Sequence, residues 1–133
     1  MLIGITGTIG SGKSLVARLL GDMLPAPVHS SDEISRRLME KDEAGYLKLV
    51  GTWGTRYLLE SGEVDRALLR TAVYEDHRVR TQLEAILHPL VRLELLQAKN
   101  RSKPTALLIA EVPLLFECGW QADFDFIVCV TAD

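Results

Sequence analysis

Cysteine is scarce in this 133-residue chain: Cys118 and Cys129 are the only two, and they form no Cys-x-x-Cys pair. That excludes a disulfide framework or a thiolate metal cluster, and the expectation is two buried free thiols in a reducing compartment. Long apolar runs are also missing. No stretch approaches the roughly 20 residues of a membrane span. The N-terminal apolar run has no basic segment before it and stops at a glycine-rich loop, so no secretory leader is expected and the address reads as cytoplasmic. Nor is there an excess of basic charge: 15 Lys and Arg stand against 18 Asp and Glu, a formal net charge of −3. The basic residues are dispersed, so neither a nucleic acid nor a membrane is expected as partner. A phosphate-bearing ligand would have to be held by local groups. At this length a single domain with a buried core is the default.

What is present is concentrated at the start. Residues 2–6 read as a short apolar strand running into Gly7-Thr8-Ile9-Gly10-Ser11-Gly12-Lys13-Ser14. Glycine, four residues, then Gly-Lys-Ser is the phosphate-binding P-loop spacing. Backbone N–H groups of such a loop converge on an anion, and the following helix adds its positive end. Lys13 can reach β- and γ-phosphates and the Ser14 hydroxyl can bind Mg²⁺. Leu15, Val16, Leu19, Leu20 and Met23 recur at helical spacing behind Ser14, as the motif requires. A plain glycine turn would need neither the lysine nor the serine.

Further along, residues 28–30 read as a short strand. Ser31 suits an N-cap, with Asp32 and Glu33 in the first turn of a helix carrying Ile34, Leu38 and Met39. Residues 42–50 suggest another helix, and Asp65 the cap of one holding Leu68, Leu69 and Val73. A longer helical pattern runs through Leu83, Leu87, Val91 and Leu95, and Pro89 within it predicts a break or kink near His88. Residues 106–110, ending in Glu111, and residues 125–131 are continuous apolar runs, as in parallel strands buried on both faces. Trp53 and Trp120 read as packing residues. This order predicts an α/β fold: a P-loop NTPase three-layer arrangement with a parallel sheet, the ligand at the carboxyl ends of its strands. The expected core is 1–31 with 104–133, and about 32–103 forms an inserted helical substrate domain.

Four further positions carry possible chemistry. Asp32, at the exit of the second strand, reads either as a helix N-terminal charge or as the base for an attacking hydroxyl. Glu111 ends a buried strand where P-loop enzymes place an acid near Mg²⁺. Glu117 reads as structural. His88 and Arg92 lie one turn apart, and arginine binds phosphate bidentately, though spacing alone favours a surface arginine and a helix-ending histidine.

Taken together these stretches resemble the dephospho-coenzyme A kinases, which phosphorylate the ribose 3′-hydroxyl of dephospho-coenzyme A with ATP. The resemblance rests on residues 4–14, Ser31-Asp32-Glu33-Ile34, Gly62-Glu63-Val64-Asp65-Arg66, Leu87-His88-Pro89-Leu90-Val91-Arg92 and Val112-Pro113-Leu114-Leu115-Phe116-Glu117. It implies a phosphotransferase of the last step of coenzyme A biosynthesis, with ATP and Mg²⁺ as cofactors and small molecules as its partners. Thr8, Ile9, Gly10, Ser11, Gly12, Lys13, Ser14 and Leu15 would contact the nucleotide, with Lys13 and Asp32 catalytic. Asp32 would serve the acceptor, His88 and Arg92 either the acceptor or the shaping of the domain, and Ser14, with Glu111 through water, the metal.

The sequence departs from the family pattern at Thr8, Ser30 and Glu111, where glycine, aspartate and aspartate are usual. Family members also continue past residues 125–131 through a lid helix with arginines and a final strand. The expectation is therefore a retained phosphate site with little kinase activity, and an uncovered sheet edge that favours self-association. The alternatives are another P-loop nucleoside or nucleotide kinase, and a non-catalytic ATP-binding protein.

Overall fold

The structure, a computed structural model, describes residues 1–7, 12–103, 105–113, 115 and 119–131. Its elements are β1 (Leu2–Gly7), α1 (Lys13–Met23), β2 (Val28–Ser30), α2 (Ser31–Leu38), α3 (Ala44–Trp53), α4 (Arg66–Glu75), α5 (His77–Arg101), β3 (Leu108–Glu111), a 3₁₀ turn at Gln121–Asp123 and β4 (Phe126–Val130). The four strands form one parallel sheet in the order β2-β3-β1-β4. This is the expected parallel α/β arrangement.

Two compact units make up the chain: Met1–Ile34 with Arg92–Asp133, and Ser35–Val91. The helical unit is narrower than the expected 32–103. Residues 92–103 belong to the sheet unit, where Arg92 pairs with Asp123 and Lys99 with Asp125.

In the sheet unit Ile5, Ala17, Ala26 and Ile109 form the buried core. β1 is central, and its Gly4 lies where a Cβ would come within 2.8 Å of Leu115 and Phe124 side-chain atoms. α1 forms as expected but buries only part of the expected stripe, Leu20 packing against the core. Ala17 and Gly21 are its buried residues, while Leu15 and Leu19 are 50% and Met23 75% exposed. The cause is close approach: a Cβ at Gly21 would lie 2.6 Å from Val28 Cγ2, so the small residues face the sheet.

The helical unit has its own core of Tyr46, Leu49, Tyr57, Val64, Leu69 and Val79. The rings of Trp53 and Tyr57 meet edge to face at 5.2 Å. A tight turn after Leu58 pairs it with Val64, and Gly62 within that turn has φ +89, where a side chain would be strained. The Tyr46 hydroxyl donates to the Gly62 carbonyl. Asp65 caps α4 as expected, accepting from Leu68 N at 3.1 Å.

Four expectations need correction. The helix containing Pro89 is not broken; α5 is continuous from His77 to Arg101. An interior proline costs about 3 kcal/mol. Burying each of Leu87, Val91 and Leu95 offsets about 1.5–3 kcal/mol of that, so the helix persists. The division between the units nevertheless falls within it, after Val91. Second, β4 is not buried on both faces: among the described residues it pairs only with β1, lies at the sheet edge, and leaves Phe126 58% exposed. Third, Cys129 on that strand is accordingly an exposed free thiol; Cys118 lies outside the described residues. Fourth, the residue capping α2 is Ser30, whose Oγ accepts from Glu33 N at 3.4 Å, and Ser31 is the first helical residue.

Candidate active site

The sheet register brings three strand ends together. Glu111 at the end of β3 is level with Ile5 on β1 and Ser30 on β2. β1 then leads through Gly7 toward the loop. Thr8, Ile9, Gly10 and Ser11 lie outside the described residues. Gly12 follows as the N-cap of α1, with φ 87 and ψ 18 in the left-handed region, so only glycine fits there without strain. Lys13 opens the helix half-buried, and Ser14 follows at its second position.

Ser14 Oγ donates to Glu111 Oε1 at 2.6 Å, a short charge-assisted bond across 97 residues of chain. β3 is buried along its length, so Glu111 is only 9% exposed. A buried carboxylate is costly without a donor, and Ser14 supplies one. Asp32 is exposed at the second position of α2, and its carboxylate makes no hydrogen bond or ion pair among the described residues. Ser14, Ser30, Asp32 and Glu111 line one cavity of about 440 Å³. Residues proposed from separate parts of the sequence thus meet at the carboxyl end of the sheet.

The same cavity holds residues that sequence reading passed over. Arg18, Asp22 and Glu33 line it too. The signal for two of them was present: Ser14, Arg18 and Asp22 are spaced by four, one face of a helix.

Arg92 is engaged elsewhere. Its Nε and Nη2 donate to Asp123 Oδ2 and Oδ1 at 2.6 and 2.9 Å, a bidentate pair. The hydrogen bond and charge of Asp123 raise the Arg92 pKa, and the guanidinium holds the Asp123 carboxyl below its ordinary value. His88 belongs to the helical unit, whereas every residue named in the cavity belongs to the sheet unit. Leu15 is exposed one position beyond Ser14. Glu117, with Leu114 and Phe116, lies outside the described residues.

The family model for dephospho-CoA kinase matches residues 1–133. The chain belongs to the dephospho-CoA kinase family. A dephospho-CoA kinase of Moorella thermoacetica is 38% identical over 98% of this chain and 63% of its own length. One of Geobacillus kaustophilus is 36% identical over 100% of this chain and 67% of its own length. The crystal structure of TT1252 from Thermus thermophilus superimposes with a TM-score of 0.78 at 35% identity, covering 100% of this chain and 66% of that one. A dephospho-CoA kinase from Campylobacter jejuni, at 22% identity and a TM-score of 0.70, shares the fold. The chain spans about two thirds of the length of the curated relatives it matches. No described helix is long and apolar enough to cross a membrane.

Proposed function

We propose that the protein is an ATP-dependent phosphotransferase acting on the ribose 3′-hydroxyl of dephospho-coenzyme A. Membership of the family supports the reaction class. The observation that carries the site is the shared cavity, lined by the hydrogen-bonded Ser14 and Glu111 and by a carboxylate, Asp32, that has no partner among the described residues.

Donor phosphates are taken by the backbone N–H groups of residues 8–14 and the start of α1, with Lys13 neutralising charge on the β- and γ-groups. Leu15 completes the nucleotide contacts. The Ser14 hydroxyl and the Glu111 carboxylate are hard oxygen donors of the kind Mg²⁺ takes. Ser14 would hold the ion, with Glu111 through water, and when bound it would supply charge neutralisation for the transferring phosphates. Asp32 accepts the proton of the acceptor hydroxyl as that oxygen bonds to the γ-phosphorus. The bond from that phosphorus to the bridging oxygen breaks and ADP leaves. An exposed carboxylate without an ion pair is available for this, because no partner has to be displaced.

The helical unit is proposed to serve the acceptor, with His88 as its candidate contact. Arg92 acts by shaping the sheet unit through Asp123, which agrees with its bidentate pairing.

The test is an ADP-release assay with dephospho-coenzyme A on the wild-type protein and Asp32→Asn. Loss of a positioned base lowers turnover by about 10²–10⁴-fold. An unchanged rate in Asp32→Asn would remove the base assignment. ADP release with another nucleoside acceptor only would remove the substrate.

A further inference from the structure

The cavity contains more charge than the transfer step uses. Arg18 stands one turn beyond Ser14 on α1 and lines the same cavity. Four residues at about 1.5 Å each place it about 6 Å further along the helix, on the same face. Among the described lining residues it is the sole cation, set against Asp22, Asp32, Glu33 and Glu111. Its guanidinium forms no ion pair or hydrogen bond among the described residues.

That pattern has an electrostatic consequence. A cavity walled by carboxylates repels a polyanionic substrate unless a cation in the wall offsets them. Arginine presents a planar fork of donors that matches phosphate oxygens bidentately. The donor phosphates are gathered at the N-terminus of α1, one turn away from Arg18. We propose that Arg18 binds the diphosphate of the acceptor, the group carried on the same ribose as the hydroxyl that Asp32 deprotonates. Arg18 is thereby a specificity-determining residue for a nucleoside diphosphate ester over the bare nucleoside. This assignment rests on the kinase reading above.

Calorimetric titration of the full chain with dephospho-coenzyme A, adenosine and ATP tests it, using wild type, Arg18→Gln and Arg18→Lys. A hydrogen-bonded charge contact is worth about tenfold or more in affinity. Arg18→Gln should therefore weaken dephospho-coenzyme A by at least about tenfold, leave adenosine and ATP within about twofold, and be partly rescued by lysine. Because Arg18 is exposed, the thermal midpoint should stay constant, separating a lost contact from a damaged fold. Equal weakening of adenosine, weakening of ATP alone, or no change would overturn the Arg18 assignment while leaving the kinase reading in place. A wild-type protein that binds ATP but not dephospho-coenzyme A would overturn both.

Discussion

At the carboxyl end of the parallel sheet, Asp32 and Arg18 stand in a cavity without side-chain partners among the described residues. At the amino end the polar groups are bound to one another. Asp125 accepts from Leu2 N at 2.7 Å and lies 3.7 Å from Lys99, Arg92 holds Asp123, and the Met1 amine donates to Ala106 O at 2.7 Å. One end has its charges already compensated, so its contribution is to fix how the strands begin. The other keeps charges that a ligand can still engage. The same residue types therefore have opposite meanings, decided by whether a partner is already in place.

Replacing Glu111 breaks this contrast most directly, because among the described residues it is the one paired carboxylate lining the cavity. In Glu111→Gln the amide oxygen still accepts from Ser14, so the fold persists while the negative charge beside the phosphates is lost. Removing one preorganised electrostatic group of this kind lowers turnover by about 10²–10³-fold. The ADP-release rate at saturating Mg²⁺ measures it, with circular dichroism as the control for folding. A variant that turns over at the wild-type rate would leave the Ser14–Glu111 bond a structural one, like those at the amino end.

Midway between the ends, Gly4→Val tests packing without touching either set of charges. Its Cβ would meet Leu115 and Phe124 side-chain atoms at 2.8 Å. Overpacking of this kind costs about 1–3 kcal/mol. The expected result is a lower urea midpoint with nucleotide affinity of the folded fraction retained.

The legible parts of the fold were those set by local chemistry. Val28–Ser30 as a strand, the Asp65 cap and the glycine at position 12 each follow from backbone preferences of neighbouring residues. Glu111 was legible as a strand end, and the meeting of Ser14, Asp32 and Glu111 follows once the strands are parallel. What could not be read depends on distant contacts. The apolar spacing of α1 pointed to Leu15 and Leu19, yet the helix approaches the sheet through Ala17 and Gly21 because Val28 leaves no room for more. That choice is also what turns Ser14, Arg18 and Asp22 toward the cavity. Arg92 left a phosphate ligand, a surface arginine and a shaping residue open, because its partner Asp123 is 31 residues away. Pro89 read as a break or kink because the rule is local; the break is absent because burial of Leu87, Val91 and Leu95 is not local. The exposure of Cys129 depends on where β4 sits in the strand order, which the apolar run taken alone does not encode.

The smallest effect expected is at the amino end, in the response to acid. Asp123 and Asp125 both sit below their ordinary value, the first chiefly through the Arg92 hydrogen bond and the second chiefly through the Leu2 amide. The unfolded chain then binds more protons in the acid range, so stability rises with pH there. The contribution is complete above the ordinary aspartate value of about 3.9 and is lost as pH falls through the folded-state value. Urea midpoints measured downward from neutral pH should fall less steeply for Asp123→Asn and for Asp125→Asn than for wild type. Salt separates the two. At about 1 M the screening length shrinks to about 3 Å. The attraction of Lys99 for Asp125 across 3.7 Å is then weakened, while the 2.7 Å hydrogen bond from Leu2 N is not. Asp125 should therefore keep most of its acid dependence in high salt. If salt removes it, charge and not the backbone contact anchors the start of β1, and the two ends of the sheet differ less than their geometry implies.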